Sequence, residues 1–212
     1  MTQFDKAIDN YIEEQFIQGK PQEDMQSFAR LLKKNRMKKV LDHGCGSGRN
    51  TVYLAKHGLS VSGFDISDLC LNNTRKWLKN ERLYANLKKH NIFEKLPYKN
   101  ERFDAVISIR AMGNNKKGPI KKAIDDIHRV LKYGGYFYLQ TDKMTTEVEN
   151  YLPTKFRKLV KNTYLQLEGY QKGTIHYLFS EESIKEMFNN FKILDVHMDK
   201  SKRLYSILAQ KF

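Results

Sequence analysis

The sequence feature that most constrains the fold is a short apolar strand that runs directly into a glycine-rich turn. Val40 and Leu41 precede the turn, which spans Asp42 to Gly48 and has glycine at positions 44, 46 and 48. Glycine adopts tight backbone angles and lets the chain approach a ligand without an intervening Cβ atom. A helix is predicted from Asn50 to His57, and its first turn presents unpaired backbone N–H groups. The pattern predicts a nucleotide-binding turn between a strand and a helix.

Strands and helices alternate along the chain on both sides of this turn. Phe103 to Ile109 is the strongest buried-strand pattern. Strands are also predicted at 39–42, 60–65, 86–92, 136–141, 192–197 and 204–210, and helices at 22–34, 50–57, 67–79, 119–131 and from 180. This order predicts a Rossmann-like, doubly wound α/β fold, with helices on both faces of a mostly parallel seven-stranded sheet. The last two strands are close enough in sequence to pair as an antiparallel hairpin.

The length of 212 residues fits a single domain. We expect N-terminal helices in 1–36, a cofactor-binding core in 37–142, a substrate cap in 143–179, and a C-terminal helix and β-hairpin in 180–212. The cap is predicted because loops at strand ends of such sheets carry substrate-binding elements. A surface helix followed by a loop is the alternative for that segment. The first N-terminal helix, with apolar Ile8, Ile12 and Phe16, is predicted to cover the cofactor, and simple packing on the sheet remains the alternative.

Composition and charge limit the classes of binding partner that the sequence predicts. The formal net charge is +14, which leaves RNA open as a partner, although a lysine-rich surface gives the same excess. Cys45 and Cys70 fit neither a disulfide framework nor zinc-ligand spacing, so no metal is predicted. No apolar stretch is typical of a signal peptide or a membrane span. The expectation is a cytoplasmic protein with no membrane partner, while monomer and homodimer stay equally open.

A carboxylate strengthens the nucleotide-binding interpretation of the turn. Asp65 ends the second predicted strand, where a carboxylate accepts hydrogen bonds from ribose hydroxyls in dinucleotide folds. The nicotinamide fingerprint requires Gly-x-Gly-x-x-Gly. Here the third glycine, Gly48, comes one position early, and Arg49 stands where the last glycine of the fingerprint belongs. The dehydrogenase interpretation is therefore disfavoured.

Four segments resemble class I S-adenosylmethionine-dependent methyltransferases, of the type that includes the general methyltransferase domains numbered 11 and 25. The segment Val40–Asn50 resembles their first motif, and Gly63–Ser67 resembles their acidic second-strand end. Leu96–Tyr98 followed by Phe103–Val106 is similar to the approach to their fourth strand, and Arg129–Gly135 to the turn before their fifth strand. Gly169 to Phe179 and the final strand pair resemble a small-molecule branch that includes tellurite and thiopurine methyltransferases.

The resemblance implies S-adenosylmethionine as cofactor and assigns residues to its parts. The three turn glycines would line the methionine moiety, with Asp42 near its amino group. Asp65 would bind the ribose, Asn91 the adenine amino group, and the Arg110 backbone carbonyl would lie beside the cofactor. The implied cofactor-binding set is Asp42, Gly44, Gly46, Gly48, Asp65, Ile66, Asn91, Ile92, Phe93 and Arg110.

Methyl transfer from a sulfonium requires few catalytic side chains, since the leaving group is a neutral thioether. Orientation of the nucleophile contributes most, and a general base is needed only when the acceptor must lose a proton. The candidates for that base are His176, Tyr170 and Tyr177, each with a structural role as the alternative. The loop from Ala111 to Asn115 lacks the histidine that relatives often carry.

Three functional hypotheses follow. The first is a methyltransferase that acts on a small-molecule acceptor by direct in-line displacement. The second is an RNA methyltransferase that uses the basic surface to bind phosphates. The third is a module that binds S-adenosylmethionine without catalysis. The lysine pairs that would bind RNA fall on different predicted elements, namely Lys33-Lys34, Lys38-Lys39, Lys88-Lys89, Lys116-Lys117 and Lys121-Lys122.

Overall fold

The structure, a computed structural model, describes residues 19–144, 155–169, 171–200 and 202–212. The predicted helix around Ile8, Ile12 and Phe16 lies outside these residues. The ten strands are β1 (Lys39–His43), β2 (Ser60–Asp65), β3 (Asn86–Lys89), β4 (Phe103–Ile109), β5 (Leu131–Asp142), β6 (Phe156–Val160), β7 (Thr163–Gln166), β8 (Ile175–Tyr177), β9 (Phe191–Met198) and β10 (Leu204–Lys211). The helices are α1 (Met25–Lys34), α2 (Arg49–Lys56), α3 (Asp68–Asn80), α4 (Lys117–Val130) and α5 (Glu181–Met187).

Seven strands form the main sheet in the order β3-β2-β1-β4-β5-β10-β9. β1 pairs in parallel with both β2 and β4, and β4 pairs in parallel with β5. β10 is antiparallel to both β5 and β9, which confirms the predicted C-terminal hairpin. The strand order reverses between β1 and β4, and such a switch point opens a crevice at the carboxyl ends of the strands. The glycine turn after β1 lies at this crevice.

Two apolar clusters cover the two faces of the main sheet. Along β1, Val40 belongs to the cluster with α1 and α2, and Leu41 belongs to the cluster with α4 and α5. Along β4, Ile107 and Val106 divide between the same two clusters in the same way. Side chains alternate between faces of a strand, so a strand covered on both faces is apolar at successive positions. This explains why Phe103–Ile109 gives so strong a buried-strand pattern, and it confirms the doubly wound fold.

Boundaries differ from the sequence prediction mainly where local hydrogen bonds decide them. The helix predicted from Gln22 begins at Met25, because the Gln22 side chain accepts from the Asp24 backbone N–H (2.7 Å). The fifth strand begins at Leu131, five residues earlier than Tyr136, since Leu131 already pairs with Phe103 before an irregularity in the register. Ser67 caps α3 as predicted, with its Oγ accepting from the Cys70 N–H (3.1 Å).

The segment predicted as a substrate cap contains a separate small sheet. β6, β7 and β8 form an antiparallel three-stranded sheet, so the alternative of a surface helix with a loop is wrong for the described residues. Four of the five residues in β6 are exposed, and for this reason its sequence lacks a strong strand pattern. Tyr177 N–H donates to the Gly113 carbonyl (2.7 Å) and ties β8 to the loop after β4. The small sheet is therefore anchored beside the carboxyl ends of the central strands.

Across the described part of the chain, the structure contains no helix that combines the length and the apolar character needed to span a membrane.

Candidate cofactor and acceptor site

Backbone hydrogen bonds fix the glycine turn against the second strand. The N–H groups of Gly44 and Cys45 both donate to the Phe64 carbonyl, at 3.1 and 2.9 Å. Gly46 N–H donates to Asp65 Oδ2 at 2.9 Å. The turn therefore rests on the end of β2 at three points, and its conformation depends on the side chain of Asp65.

The three turn glycines have positive φ angles for different reasons. A Cβ atom at Gly44 (φ +79°) would lie 2.7 Å from Ala111 Cβ, and one at Gly48 (φ +89°) would lie 2.6 Å from Thr74 Cγ2. Both glycines are required by close packing within the protein. A Cβ atom at Gly46 (φ +52°) would meet no atom within 4 Å. Gly46 thus faces open space at the crevice, which is where a bound ligand would approach the turn.

Asp65 organises the end of β2 with both of its oxygens. Oδ2 accepts from Gly46 N–H, and Oδ1 accepts from Ser67 N–H at 3.0 Å. Each carboxylate oxygen has more than one acceptor position, so these bonds leave the carboxylate able to accept further hydrogen bonds. The side chain is half-buried and accordingly accessible at the crevice.

Asp42 is the buried acid of the site. It is 1% exposed, and its Oδ2 accepts from the Thr51 hydroxyl at 2.7 Å. Burial raises the pKa of the Asp42 carboxyl to about 7, against the lowering effects of the Thr51 hydrogen bond and of Arg49. The negative charge of Asp65 raises it further. A positively charged group placed beside Asp42 would favour its ionised form.

Four residues of the predicted cofactor-binding set follow β2 and β3, and three of them, Asn91, Ile92 and Phe93, are the ones predicted to contact the adenine. Ile66, Asn91, Ile92 and Phe93 are all half-buried. Asn91 Oδ1 accepts from Phe93 N–H (3.0 Å), and this hydrogen bond orients the side-chain amide of Asn91. Ile92 Cγ2 would lie 3.4 Å from a Cβ atom at Gly44. The segment after β3 therefore packs directly on the glycine turn.

Two arginines lie after neighbouring strands of the sheet, since β1 pairs in parallel with β4. Arg49 begins α2 immediately after the turn, and Arg110 follows β4 with a positive φ of 56°. Arg110 N–H donates to the Gln140 carbonyl at 2.9 Å, which anchors its backbone to β5. Burial lowers the pKa of the Arg49 guanidinium, the positive charge of Arg110 lowers it further, and Asp42 raises it. The charges of Arg110 and Asp42 therefore act on the pKa of Arg49 in opposite directions.

A second polar cluster lies at the end of β5, and the sequence analysis missed most of it. A Cβ atom at Gly113 would lie 3.5 Å from Asp142 Oδ2 and 3.6 Å from Thr141 Oγ1. Within the described residues, Thr141 Oγ1 and His176 Nε2 are buried without a hydrogen-bond partner. Burial lowers the pKa of His176, and the charge of Asp142 raises it in opposition. One signal for this cluster was available in the sequence, since Thr141 ends the fifth predicted strand and Asp142 directly follows it.

The candidate bases differ in accessibility. Tyr177 is 2% exposed and packs edge-to-face on Phe179, with ring centroids 5.2 Å apart, as part of the main core. His176 packs edge-to-face on Phe156 at 5.7 Å and is half-buried. Tyr170 lies outside the described residues. Within the described residues, His176 is thus the one of these two candidates that carries a buried nitrogen without a hydrogen-bond partner.

His43 occupies a buried position at the end of β1. Its ring packs edge-to-face on Phe64 at 5.1 Å, and its Nδ1 is 3.3 Å from Ser108 Oγ. Burial lowers the pKa of His43 to about 4, so the imidazole is neutral near pH 7. The neutral form lowers the cost of burial, although among the described residues His43 Nε2 is a buried atom without a hydrogen-bond partner.

The sheet order and the turn at its switch point define a Rossmann-like fold of the methyltransferase class. Two solved structures share it. A methyltransferase from Methanosarcina mazei superposes with a TM-score of 0.71 at 23% identity, covering 83% of this chain and 93% of that one. The 1,6-didemethyltoxoflavin-N1-methyltransferase of Burkholderia thailandensis has a TM-score of 0.66 at 18% identity, covering 89% of this chain and 78% of that one.

A comparison with known protein families gives a match for part of the chain. Residues 40–135 match the family described as "Methyltransferase domain". An uncharacterized methyltransferase of Synechocystis sp. is 36% identical over 101 residues, which is 48% of this chain and 45% of that protein. The chain therefore spans less than half the length of this curated relative. The match over residues 40–135 supports the predicted resemblance to class I S-adenosylmethionine-dependent methyltransferases. The narrower resemblance to tellurite and thiopurine methyltransferases stays a prediction.

Proposed function

We propose that this chain is an S-adenosylmethionine-dependent methyltransferase whose acceptor is a small molecule. The observation that carries the proposal is the crevice at the switch point, where Gly46 faces open space and is hydrogen-bonded to Asp65. The same crevice holds the buried acid Asp42. The structural neighbour from Burkholderia thailandensis, whose structure contains 1,6-didemethyltoxoflavin and S-adenosylhomocysteine, supports a small acceptor.

The chemistry of the residues present fits S-adenosylmethionine, and different residues would hold different parts of it. Asp42 would hold the amino group of the methionine moiety, because a cation restores the charge that burial disfavours. Asp65 would accept from the ribose hydroxyls, and the turn around Gly46 would admit the methionine backbone. Ile66, Ile92 and Phe93 would flank the adenine, with Asn91 at its polar edge and the Arg110 carbonyl beside the methionine moiety.

Catalysis in this site would consist of positioning and proton removal. The chemistry supplied by bound S-adenosylmethionine is a methyl group on a sulfonium centre, with a neutral thioether as leaving group. Since the leaving group needs no acid, the chain has to orient the acceptor, exclude water and remove the proton of the acceptor. Alignment of this kind contributes about 7–11 kcal/mol in favourable systems.

His176 would accept the proton of the acceptor at Nε2. This nitrogen is buried without a partner in the part of the chain that the structure describes. The lowered pKa keeps the imidazole neutral near pH 7, and Asp142 would stabilise the imidazolium that forms. Thr141 Oγ1 would orient the acceptor by a hydrogen bond.

Replacement of His176 by asparagine is expected to slow single-turnover methyl transfer about 100-fold, within the usual range for a general base. The rate of the unmodified protein should fall as the pH drops below the lowered pKa of His176, and the variant should lose this limb. S-adenosylhomocysteine affinity, measured by calorimetry, should stay unchanged. Equal pH profiles for both proteins would assign His176 a purely structural role.

Calorimetry with S-adenosylhomocysteine and NADH tests the proposed function. We expect S-adenosylhomocysteine to bind in a one-to-one complex and NADH not to bind. Binding of NADH alone would overturn the assignment. A labelled-methyl transfer assay against small-molecule extracts and total RNA then distinguishes the proposed acceptor class from RNA, and transfer to neither would favour a non-catalytic binding module.

The pH dependence of cofactor affinity provides an internal check on Asp42. The pKa of Asp42 is raised to about 7, so its carboxyl is protonated below that pH and must lose a proton to bind a cationic amino group. Affinity for S-adenosylhomocysteine is therefore expected to rise between pH 6 and pH 8. Calorimetry in buffers of different ionisation enthalpy should detect proton release.

The variant Asp42→Asn keeps an oxygen for the Thr51 hydrogen bond and removes the titration. It should bind more weakly at pH 8 and show no pH dependence. Without ligand, it should melt at a higher temperature than the unmodified protein at pH 8. The reason is that a raised folded-state pKa contributes stability below the unfolded value of 3.8 and loses it as the pH rises through about 7. A pH-dependent affinity that persists in Asp42→Asn would contradict this role.

A further inference from the structure

Gly113 leaves a small, oxygen-lined space beside the end of β5. A Cβ atom built on this glycine would lie 3.5 Å from Asp142 Oδ2, 3.5 Å from the Tyr177 carbonyl oxygen and 3.6 Å from Thr141 Oγ1. Apart from the chain neighbours of Gly113, these oxygens are the nearest heavy atoms, and the distances are those of ordinary van der Waals contact. The φ angle of Gly113 lies outside the left-handed region, so its backbone does not require glycine. The space therefore admits a group of the size of a methyl or an amino group.

The loop after β4 connects this space to the glycine turn. At one end of the loop, Ala111 Cβ would lie 2.7 Å from a Cβ atom at Gly44. At the other end, the Gly113 carbonyl accepts from Tyr177 N–H (2.7 Å). Two residues of extended chain span at most about 7 Å. One small molecule that lies along this loop can therefore contact both the glycine turn and the oxygens beside Gly113.

The side chains of Thr141 and Asp142 favour a ligand in this space. Thr141 is 1% exposed, and within the described residues its Oγ1 is a buried atom without a hydrogen-bond partner. A hydroxyl in this state has lost its hydrogen bonds to water without replacement. Asp142 is half-buried, and across the described part of the chain it forms no ion pair within 4.0 Å. A cation that donates hydrogen bonds in the space would satisfy both groups.

The charged groups around the crevice leave Asp142 available for such a ligand. Lys143 Nζ lies 2.9 Å from a methionine sulfur of β9. Arg110 has an exposed side chain, so solvent screens its charge. In the proposed function, the carboxylates of Asp42 and Asp65 are assigned to the amino group and the ribose of the cofactor. Of the three acids described at the crevice, Asp142 is therefore the one that remains for the acceptor.

The three oxygens select a group that donates hydrogen bonds. A carboxylate and a carbonyl only accept, and a hydroxyl can also accept. A primary or secondary amine offers N–H donors, and its protonated form also compensates the charge of Asp142. A carboxylate or phosphate would be repelled by Asp142, and an alcohol has one O–H for three acceptor atoms. The geometry and the charge therefore both favour an amine.

Building on the proposed function, we propose that the methyl acceptor is a small primary or secondary amine, whose amino group donates to Asp142 Oδ2 and Thr141 Oγ1. The amine subsite is the space beside Gly113 that these two oxygens and the Tyr177 carbonyl line. Gly113 determines specificity, because any side chain at this position would occupy the place of the amino group. Asp142 is half-buried, so the amino group enters the subsite on the side of this carboxylate.

A labelled-methyl transfer screen tests the class of acceptor. A small-molecule extract, freed of RNA by filtration, is separated on a strong cation exchanger into retained and unretained fractions, and total RNA is assayed alone. We expect label in the retained fraction. Treatment of this fraction with acetic anhydride before the assay converts primary and secondary amines into neutral amides, and it should abolish the label.

Gly113→Ala places a methyl group in the amine subsite without backbone strain. It should lower transfer to the retained fraction at least tenfold, leave the melting temperature unchanged and change the S-adenosylhomocysteine dissociation constant less than threefold. Gly118→Ala is the matched control, because a Cβ atom there would meet nothing within 4 Å and its φ also lies outside the left-handed region. The control should alter neither transfer nor binding.

Asp142→Asn and Thr141→Val test the two side chains of the subsite. The first removes the charge at constant size, and it should lower transfer about 10- to 100-fold, as expected for the loss of a hydrogen bond to a charged group. The second removes the hydroxyl at nearly constant shape, and it should lower transfer about three- to tenfold. The melting temperature of Thr141→Val should stay the same or rise, because the hydroxyl it removes has no partner among the described residues. A purely structural role of both side chains predicts normal transfer.

The outcomes separate the two proposals. Failure of the unmodified protein to bind S-adenosylhomocysteine, label only in RNA, or label in no fraction would overturn the proposed function and the amine subsite together. Label only in the unretained fraction, or label that survives acetylation, would overturn the amine subsite alone. Normal transfer by Gly113→Ala and Asp142→Asn would also overturn the subsite and leave the proposed function intact.

Discussion

Replacement of Asp65 by alanine is expected to weaken S-adenosylhomocysteine binding about 100-fold, or about 2.7 kcal/mol. The first contribution is the loss of hydrogen bonds from the ribose hydroxyls to a charged acceptor, each of which contributes about 1.5–3 kcal/mol. The second is the loss of the bonds from Gly46 and Ser67, which hold the turn in its binding conformation. Titration calorimetry at constant pH measures the dissociation constant.

Asp68→Ala is the control for Asp65→Ala. Asp68 is an exposed carboxylate three residues away that forms a surface ion pair with Lys89 at 2.5 Å. Its loss should leave the S-adenosylhomocysteine affinity within twofold of that of the unmodified protein, because screened surface pairs contribute little. An unchanged dissociation constant in Asp65→Ala would refute the assignment of the ribose to this carboxylate.

Replacement of Gly48 by alanine is expected to lower the free energy of unfolding by about 4 kcal/mol, as the sum of backbone strain and overpacking. The residue has a φ of +89°, and its new Cβ would lie 2.6–2.9 Å from three atoms of Thr74. Thr74 is fully buried, and its hydroxyl donates to the carbonyls of Gly46 and Cys70 at 3.0 Å each. The threonine therefore has no space into which to move.

Gly46→Ala and Gly58→Ala distinguish packing, strain and ligand exclusion. Both glycines have positive φ, and a Cβ atom at either would meet nothing within 4 Å. Each substitution should cost about 1–2 kcal/mol of strain. Only Gly46→Ala should also weaken S-adenosylhomocysteine more than tenfold, because its Cβ enters the crevice, whereas Gly58 follows α2 away from the site. Denaturant unfolding and calorimetry on all three variants measure the two effects. Equal stabilities for Gly48→Ala and Gly58→Ala would contradict the steric role of Thr74.

The cofactor half of the site was predictable because it is local in sequence. The strand, the glycine turn and the following helix are contiguous, and Asp65 ends the adjacent strand, so the parallel pairing of β1 with β2 is enough to bring them together. The alternation of apolar residues along β4 likewise predicted a strand covered on both faces. These features depend on short-range geometry and on the periodicity of side chains.

The acceptor half was not predictable to the same extent. Gly113, Thr141, Asp142 and His176 come from three separate segments, and none of them forms a motif by spacing. The small sheet of β6, β7 and β8 was missed because most of its first strand is exposed and its residues show no apolar alternation. Its position depends on long-range backbone bonds such as that from Tyr177 to Gly113.

By itself, the sequence determined the doubly wound fold and the switch-point turn, and its assignment of residues to S-adenosylmethionine stays a prediction. Only the tertiary structure decided that Gly46 alone of the three turn glycines faces open space, and that Asp42 is buried enough for its pKa to rise to about 7. The physical reason is that burial, steric exclusion and electrostatic repulsion depend on which distant segments are brought together, and local residue patterns do not contain that information.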